Sequence, residues 1–437
     1  MARGKRILIG ASCVALLLIS WIVAANTKSA EQKQIELMDR AAALMADRIF
    51  VRAVPLLEEA VGYNTKFTAQ AEEELKSAYL ALIATGGYRR KYTALLESQM
   101  SRDDARPNVF VEAANYYFGI PRIAEALEVL RDGIEKTGSQ TLITLYEHNR
   151  YKYEINRKTY DYASAIFESK SQVMSEGYWG IAGSDGILLI PCQYDKISTF
   201  SMDRAIVQQK NEIFAINIDN NRISLFRGIA DDFGNFANDR VPLMIDGQWH
   251  RATGEFIVGS ASFEQVGMYA GGYAAAKIDE KWGVVDLQLN WLIPPEHDGI
   301  VQDELGRCYS NGAVFARDNS KVCLYVDGII ADERYEDARP FSDEGYAAVK
   351  LNGKWGFIDR EGNVAIGFMF DDALSFGQHL AAVRQGEHWG YISLSGIMVI
   401  EPVFLEAKSF SNGSAPVLTE RGWQFITLLE YKKGASL

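Results

Sequence analysis

Cysteine is scarce: Cys13, Cys192, Cys308 and Cys323 are the only four in 437 residues. One lies in the apolar N-terminal run, so the remainder holds an odd three, which excludes a disulfide framework and any paired metal-ligand spacing. Histidine is scarcer relative to its uses. His148, His250, His297, His379 and His388 show no metal spacing and no H-E-x-x-H pair. No glycine-rich phosphate loop opens a helix, and GSDG (183–186) and SLSG (393–396) read as hairpin turns rather than nucleophile elbows. Nothing here nominates a catalytic set, a metal or a cofactor. Excess positive charge is also missing, because the net charge is −12. Residues 176–437 hold 22 basic and 36 acidic groups, a balance of −14, which repels phosphate backbones and argues against nucleic acid as a partner.

What is present divides the chain into three. Residues 1–30 carry four basic groups and no acid, and Arg3, Lys5 and Arg6 precede an uncharged apolar run from Ile7 to Ala25. Nineteen residues are about enough to span a bilayer as a helix, with the basic end cytoplasmic and the bulk outside. The run is long for the core of a signal peptide, which favours an uncleaved membrane anchor. Cleavage near Ala25, releasing the protein, is the alternative.

Residues 31–175 carry helical periodicity. Ala53, Leu56, Leu57 and Ala60 form one stripe, and further stripes run through Tyr92, Leu95, Leu96 and through Ala126, Val129, Leu130. Gly62, Gly86-Gly87, Gly119, Pro121 and Gly138 punctuate them. FVRAVPLLEEAV, YTALLESQM and RIAEALEVLRDGI each set a small residue (Ala53, Ala94, Ala126) where paired helices would approach closely. The pattern resembles a degenerate tetratricopeptide-type array of three or four helical hairpins. That resemblance implies an α-solenoid with a groove for a peptide or protein. The plainer reading is a helical spacer.

Residues 176–437 repeat. Trp179-Gly180, Trp282-Gly283, Trp355-Gly356 and Trp389-Gly390 open like hairpins, and degenerate copies stand at Phe214, Trp249, Val322 and Trp423. Successive anchors lie 35, 35, 33, 40, 33, 34 and 34 residues apart, which we count as seven units. Each unit reads as four short strands around two turns, as in YEDARPFSDEGYAAVK and FDDALSFGQHLAAVR. These residues resemble the WG-repeat (KWG-repeat) proteins, in which Trp-Gly, a following Asp, a turn Gly and an Ile-x-Pro recur about every 35 residues. Pro191, Pro294 and Pro402 keep the strand-ending proline. The resemblance implies fold and interaction, and no chemistry.

The expected architecture is therefore α + β and multidomain: an N-terminal transmembrane helix, an α-solenoid, then an all-β propeller of about seven blades. An open β-solenoid is the alternative, but radial closure better removes exposed sheet edges. The last unit lacks an outer strand, and Ile187–Ile190 is the expected donor. Trp179, Trp249, Trp282, Trp355, Trp389 and Trp423 are expected to be buried wedges between sheets, each hiding about 150–250 Å². Each unit also has an acid: Asp195, Asp231, Glu264, Asp298, Glu336, Asp371 and Glu406. The sharp reading of these is a carboxylate ring gripping a cation or basic peptide; the plain one is turn capping. The function expected is a membrane-anchored, extracytoplasmic, non-enzymatic scaffold for protein or cell-envelope ligands. The alternatives are a propeller hydrolase or lyase acting on a cell-envelope substrate, or a structural spacer or sensor exodomain.

Overall fold

The computed structural model describes residues 29–432. The expected membrane helix over 7–25 lies outside the described residues. Among the described residues no helix is long and apolar enough to cross a membrane. The chain divides into two compact units, 1–146 and 147–437.

The first unit is helical: α1 (Ala30–Ala46), α2 (Phe50–Val61), α3 (Thr68–Ile83), α4 (Arg89–Ser101), α5 (Pro107–Gly119), α6 (Ile123–Thr137) and α7 (Gln140–Asn149, its last three residues beyond the boundary). Ser29 caps α1 with a reciprocal bond to Gln32, satisfying donors that the first turn leaves unpaired. Ala53, Leu57, Ala60, Ala126 and Leu130 are fully buried, as the stripes require. Ala94 is exposed, so the expected close approach there is corrected. The buried face of α4 is Tyr92, Leu96 and Gln99 instead. Polar side chains join helices, both consecutive ones and ones that are not sequence neighbours. Gln34 on α1 donates to the Ala60 carbonyl at 2.9 Å, and Lys76 on α3 meets Glu112 on α5 at 2.5 Å.

The helical stretch ends sooner than expected. Strands begin at Tyr153, so the 31–175 boundary is corrected: residues 161–175 are the first two strands of a propeller blade. DYASAIFESKSQV hides this because it precedes the first Trp-Gly anchor and mixes small and charged residues as a helix would.

The second unit is eight antiparallel four-stranded sheets, so the seven-blade count is corrected to eight. Each Trp-Gly anchor marks a third strand, and in a closed ring eight third strands are eight blades. We label the strands a to d. Blade 1 is Tyr162–Ala163, Lys170–Ser175, Tyr178–Gly183 and Leu188–Tyr194; blades 2 to 7 follow in chain order. Blade 8 comprises Glu406–Ala407, Ser414–Thr419 and Gly422–Leu428, and its d strand is Tyr153–Ile155. Tyr153 pairs with Leu428 and Ile155 with Ile426. Ile187–Ile190, the expected donor, belongs to blade 1's own d strand. Asn156 then clamps the seam, its side chain donating to the Asp185 carbonyl of blade 1 at 2.9 Å and accepting from Phe425 N–H of blade 8. Closure leaves no unpaired blade.

Segments that follow the a strands meet across the ring, which places those strands nearest the axis. Ala165 of blade 1 and Lys408 of blade 8 both bond Glu304 of blade 5. The 40-residue spacing to blade 5 supplies the extra chain. Asp303 folds it tight, accepting from Leu305 N–H, Arg307 N–H and the Arg307 guanidinium. Leu305, 3% exposed, packs with Ala237, Met268, Ala165 and Phe167. Four blades thus share one plug on the axis.

Candidate functional site: a cavity beside Trp179

The repeat's letters have separable physical roles. In Lys354-Trp355-Gly356 the lysine reaches Asp371 of the next blade at 2.6 Å, and Lys281 reaches Asp298 at 2.7 Å. The glycine is there because the d strand crosses it. A Cβ on Gly390 would lie 2.4 Å from the Ile400 carbonyl and 2.8 Å from Pro402 N; one on Gly283 would lie 2.4 Å from the Ile293 carbonyl. Glycine and the Ile-Pro bulge therefore belong together, since d gains residues just where c can admit its backbone. Blade 2 shows the converse. By register Ile213, not Phe214, occupies the tryptophan position opposite Gln208, and Phe214 replaces the glycine. Phe214 pairs directly with Leu225, and no bulge crosses it.

The acids fall into two classes. Asp195, Asp231, Glu264, Asp298, Glu336 and Asp371 each accept a backbone N–H from the b–c turn of their own blade. Asp161, which the sequence reading passed over, does the same for blade 1 by accepting from Glu176 N–H. Glu406 is out of class. Leu405 holds the equivalent backbone position, and Glu406 sits one residue later in strand a, beside Lys408 at 3.0 Å. The seven named acids therefore do not form one ring. Lysine hydrogen bonds from Lys281 and Lys354 hold Asp298 and Asp371 below the ordinary aspartate range, and the Glu280 backbone N–H does so for Glu264. Among the described residues no group of three or more His, Cys, Asp or Glu side chains gathers as a metal site.

The tryptophans also fall into two classes, and this was not legible beforehand. Trp355, Trp389 and Trp423 are 3%, 8% and 4% exposed, whereas Trp179, Trp249 and Trp282 are partly exposed, so the expectation that all six are buried is corrected. The residue that follows strand a explains the split. In blade 6 it is Arg339, whose guanidinium lies 4.5 Å from the Trp355 ring centre; in blade 8 it is Lys408, 5.0 Å from Trp423. In blade 7 it is Leu374, packed into the Trp389 cluster. In blades 1, 3 and 4 it is Ser164, Gly234 and Gly267, too short to cover an indole. The positions are equivalent because each makes the same backbone bond to strand b, as in Arg339 N–H to Ala348 and Ser164 N–H to Gln172.

Lys408 is 8% exposed. Burial pushes its pKa down, but Glu304 and Glu406 outweigh that and hold the ammonium above its ordinary value. Cys308 is a buried free thiol, and burial pushes its pKa up to about 12.

A cavity of about 460 Å³ opens beside Trp179 and is lined also by Gln172, Asp195, Lys196, Gln208, Phe233 and Asn235 of blades 1 to 3. Gln172 donates to the Ile197 carbonyl at 2.7 Å and to Asn235 Oδ1 at 3.0 Å, and Asn235 donates to the Leu305 carbonyl at 3.0 Å. The cavity floor is thereby tied to the axial plug.

Five stretches, 179–212, 253–282, 329–355, 355–387 and 389–423, match the model of the WG containing repeat. The chain carries WG repeats. A comparison with curated proteins finds no match. Among solved structures, a eukaryotic initiation factor is similar at 10% identity and TM-score 0.40, over 64% of this chain and 88% of that one. The WD40 domain of SCAP from fission yeast is similar at 8% identity and TM-score 0.37, over 64% and 98%. Hsv2 from Kluyveromyces lactis follows at 10% and 0.35, over 62% and 97%. These likenesses concern the fold alone. A propeller of WG repeats fits a protein-interaction scaffold.

Proposed function

We propose that the protein is a membrane-anchored, extracytoplasmic scaffold that binds protein or cell-envelope ligands through its helical array and its WG-repeat propeller, and that it is not an enzyme. The observation that carries this reading is where the polar groups of the propeller are used. The acids that precede the a strands cap hairpin turns, Asp298 and Asp371 also pair with a lysine of the preceding blade, and the segment around Leu305 sits on the axis, while the cavity beside Trp179 keeps polar atoms that none of these roles uses. An array and a propeller in one chain offer two extended surfaces, and the basic-then-apolar leader supports anchoring with the bulk outside.

Two measurements on the full chain test it. A reporter active only outside the cytoplasm, fused after Leu437, is expected to be active and to sediment with membranes. Crosslinking in intact cells, followed by purification under denaturing conditions, is expected to recover a defined partner at near-stoichiometric yield. A reporter active only in the cytoplasmic orientation would overturn the localisation, and recovery of the uncrosslinked chain alone would overturn the scaffold.

A further inference from the structure

We infer that the cavity beside Trp179 is a receptor for a guanidinium side chain, an arginine presented by a partner peptide. The inference rests on the scaffold reading and names what that scaffold grips.

The argument is comparative within one molecule. Where strand a is followed by a cation, the indole of the same blade is capped by it: Arg339 on Trp355 and Lys408 on Trp423. In blade 1 the equivalent residue is Ser164, and the Trp179 ring is left partly exposed against a cavity. Trp249 and Trp282 are also uncapped, but only Trp179 lines that cavity. Its ring contact is edgewise, with Tyr162 at 5.6 Å, and it carries no cation from the described chain.

Acceptors are prominent among the polar atoms left over, beside the amide of Gln208, which carries both donors and an acceptor. Gln172 spends its amine on Ile197 and Asn235, leaving its carbonyl oxygen unengaged. Asp195 accepts the Lys210 N–H with one oxygen, leaving the second. Gln208 also lines the wall and makes no side-chain bond. Lys196, the one cation in the lining, is bonded to Asp232 and rests over Phe233 at 4.9 Å. With Lys196 already paired, Asp195 is the lining charge without an ion-pair partner, and that carboxylate beside an aromatic face and further acceptors fits a flat cation with five donors better than an anion. The −14 balance of residues 176–437 steers such a ligand inward.

The test uses the full chain and a Gly-Arg-Gly-Arg-Gly peptide, with its citrulline counterpart as the uncharged isostere, read by titration calorimetry. The arginine peptide is expected to bind in the ~0.1–1 mM range, and the citrulline peptide roughly tenfold more weakly. Ser164→Arg, which recreates the Arg339 arrangement, is expected to weaken the arginine peptide roughly tenfold by filling the site. Asp195→Asn keeps an acceptor for Lys210 N–H, loses the charge, and is expected to weaken binding about fivefold. Should Ser164→Arg lower the melting temperature strongly, Asp195→Asn and Trp179→Leu carry the test instead. Equal binding of the citrulline peptide would overturn the cation. Unchanged binding in a well-folded Ser164→Arg or Asp195→Asn protein would overturn the location. If neither peptide binds while crosslinking still recovers a partner, the arginine receptor is wrong and the scaffold reading stands.

Discussion

The helical array and the propeller are both built from repeats, yet they tolerate irregularity differently. In the array, polar groups act as individual joints: buried Glu72, 2% exposed, takes hydrogen bonds from Gln99 and Arg102, and half-buried Glu58 takes them from Tyr79 and Lys91. Each joint is different, and Ala94 shows that even the small-residue spacing drifts. In the propeller the same parts recur in register in most blades, from the cap on the b–c turn to the bulge over glycine. The difference follows from topology. A linear stack may bend a little at each interface, whereas eight interfaces in a ring must together complete one turn, so each is held to the same geometry.

The sharpest way to break this comparison is to open the ring. Deleting residues 150–157 removes the strand that completes blade 8. It is expected to abolish the propeller's single cooperative unfolding transition while the helical signal is retained, seen as separate near-UV and far-UV melts; survival of one sharp transition for the propeller would show that closure is dispensable.

Next in size are the indoles. Trp389→Ala is expected to cost about 3–5 kcal/mol in denaturant unfolding, because the ring is buried among Leu374, Phe404 and Ala382. Trp179→Ala, partly exposed, is expected to cost only about 1–2 kcal/mol. Equal losses would contradict the two classes.

Glycine offers a matched pair across the two units. Gly390→Ala forces a Cβ against the Ile400 carbonyl, and Gly133→Ala forces one to 2.7 Å from Phe110 on the neighbouring helix. Each is expected to destabilise its own unit by about 1–3 kcal/mol. The propeller variant is expected to lose more, because backbone gives way less than the flexible side chains around Gly133.

The smallest effect is acid sensitivity. Asp298, Asp371 and Glu264 have pKa values lowered in the folded state, so they bind fewer protons folded than unfolded around pH 4. Their contribution is present above the unfolded values of about 4 and is lost as pH falls through the lower folded ones. The propeller's melting temperature is therefore expected to decline as pH drops from about 5 toward 2. In Lys354→Met the Asp371 part of that decline is expected to shrink, read as a shallower slope.

Much of the propeller was legible. Trp-Gly announced the hairpin of the c and d strands, but Pro191, Pro294 and Pro402, expected to end a strand, lie inside the d strands at the bulge that crosses the glycine. The spacing of 40 residues between Trp282 and Val322 exceeds the others, but spacing cannot say that Leu305 lands on the axis. The first half of blade 1 was missed because units were counted from their Trp-Gly anchors, and DYASAIFESKSQV precedes the first anchor, Trp179. Glu406 was misplaced because Leu405 had taken the capping slot, and one-residue register is visible only in the pairing.

By itself the sequence determined the periodic parts: a helical stretch, then a four-stranded unit whose side chains alternate between two faces and whose turns require glycine or an acid. These are local, set by backbone sterics and by residues within about twenty positions of each other. Tertiary structure alone decided that eight anchors make eight blades, that Tyr153–Ile155 closes the ring more than 270 residues later in the chain, and that some indoles are capped while Trp179 faces a cavity. Those outcomes depend on which side chain follows strand a in each blade and on how blades meet at the axis, and such distances exist only once the ring has closed.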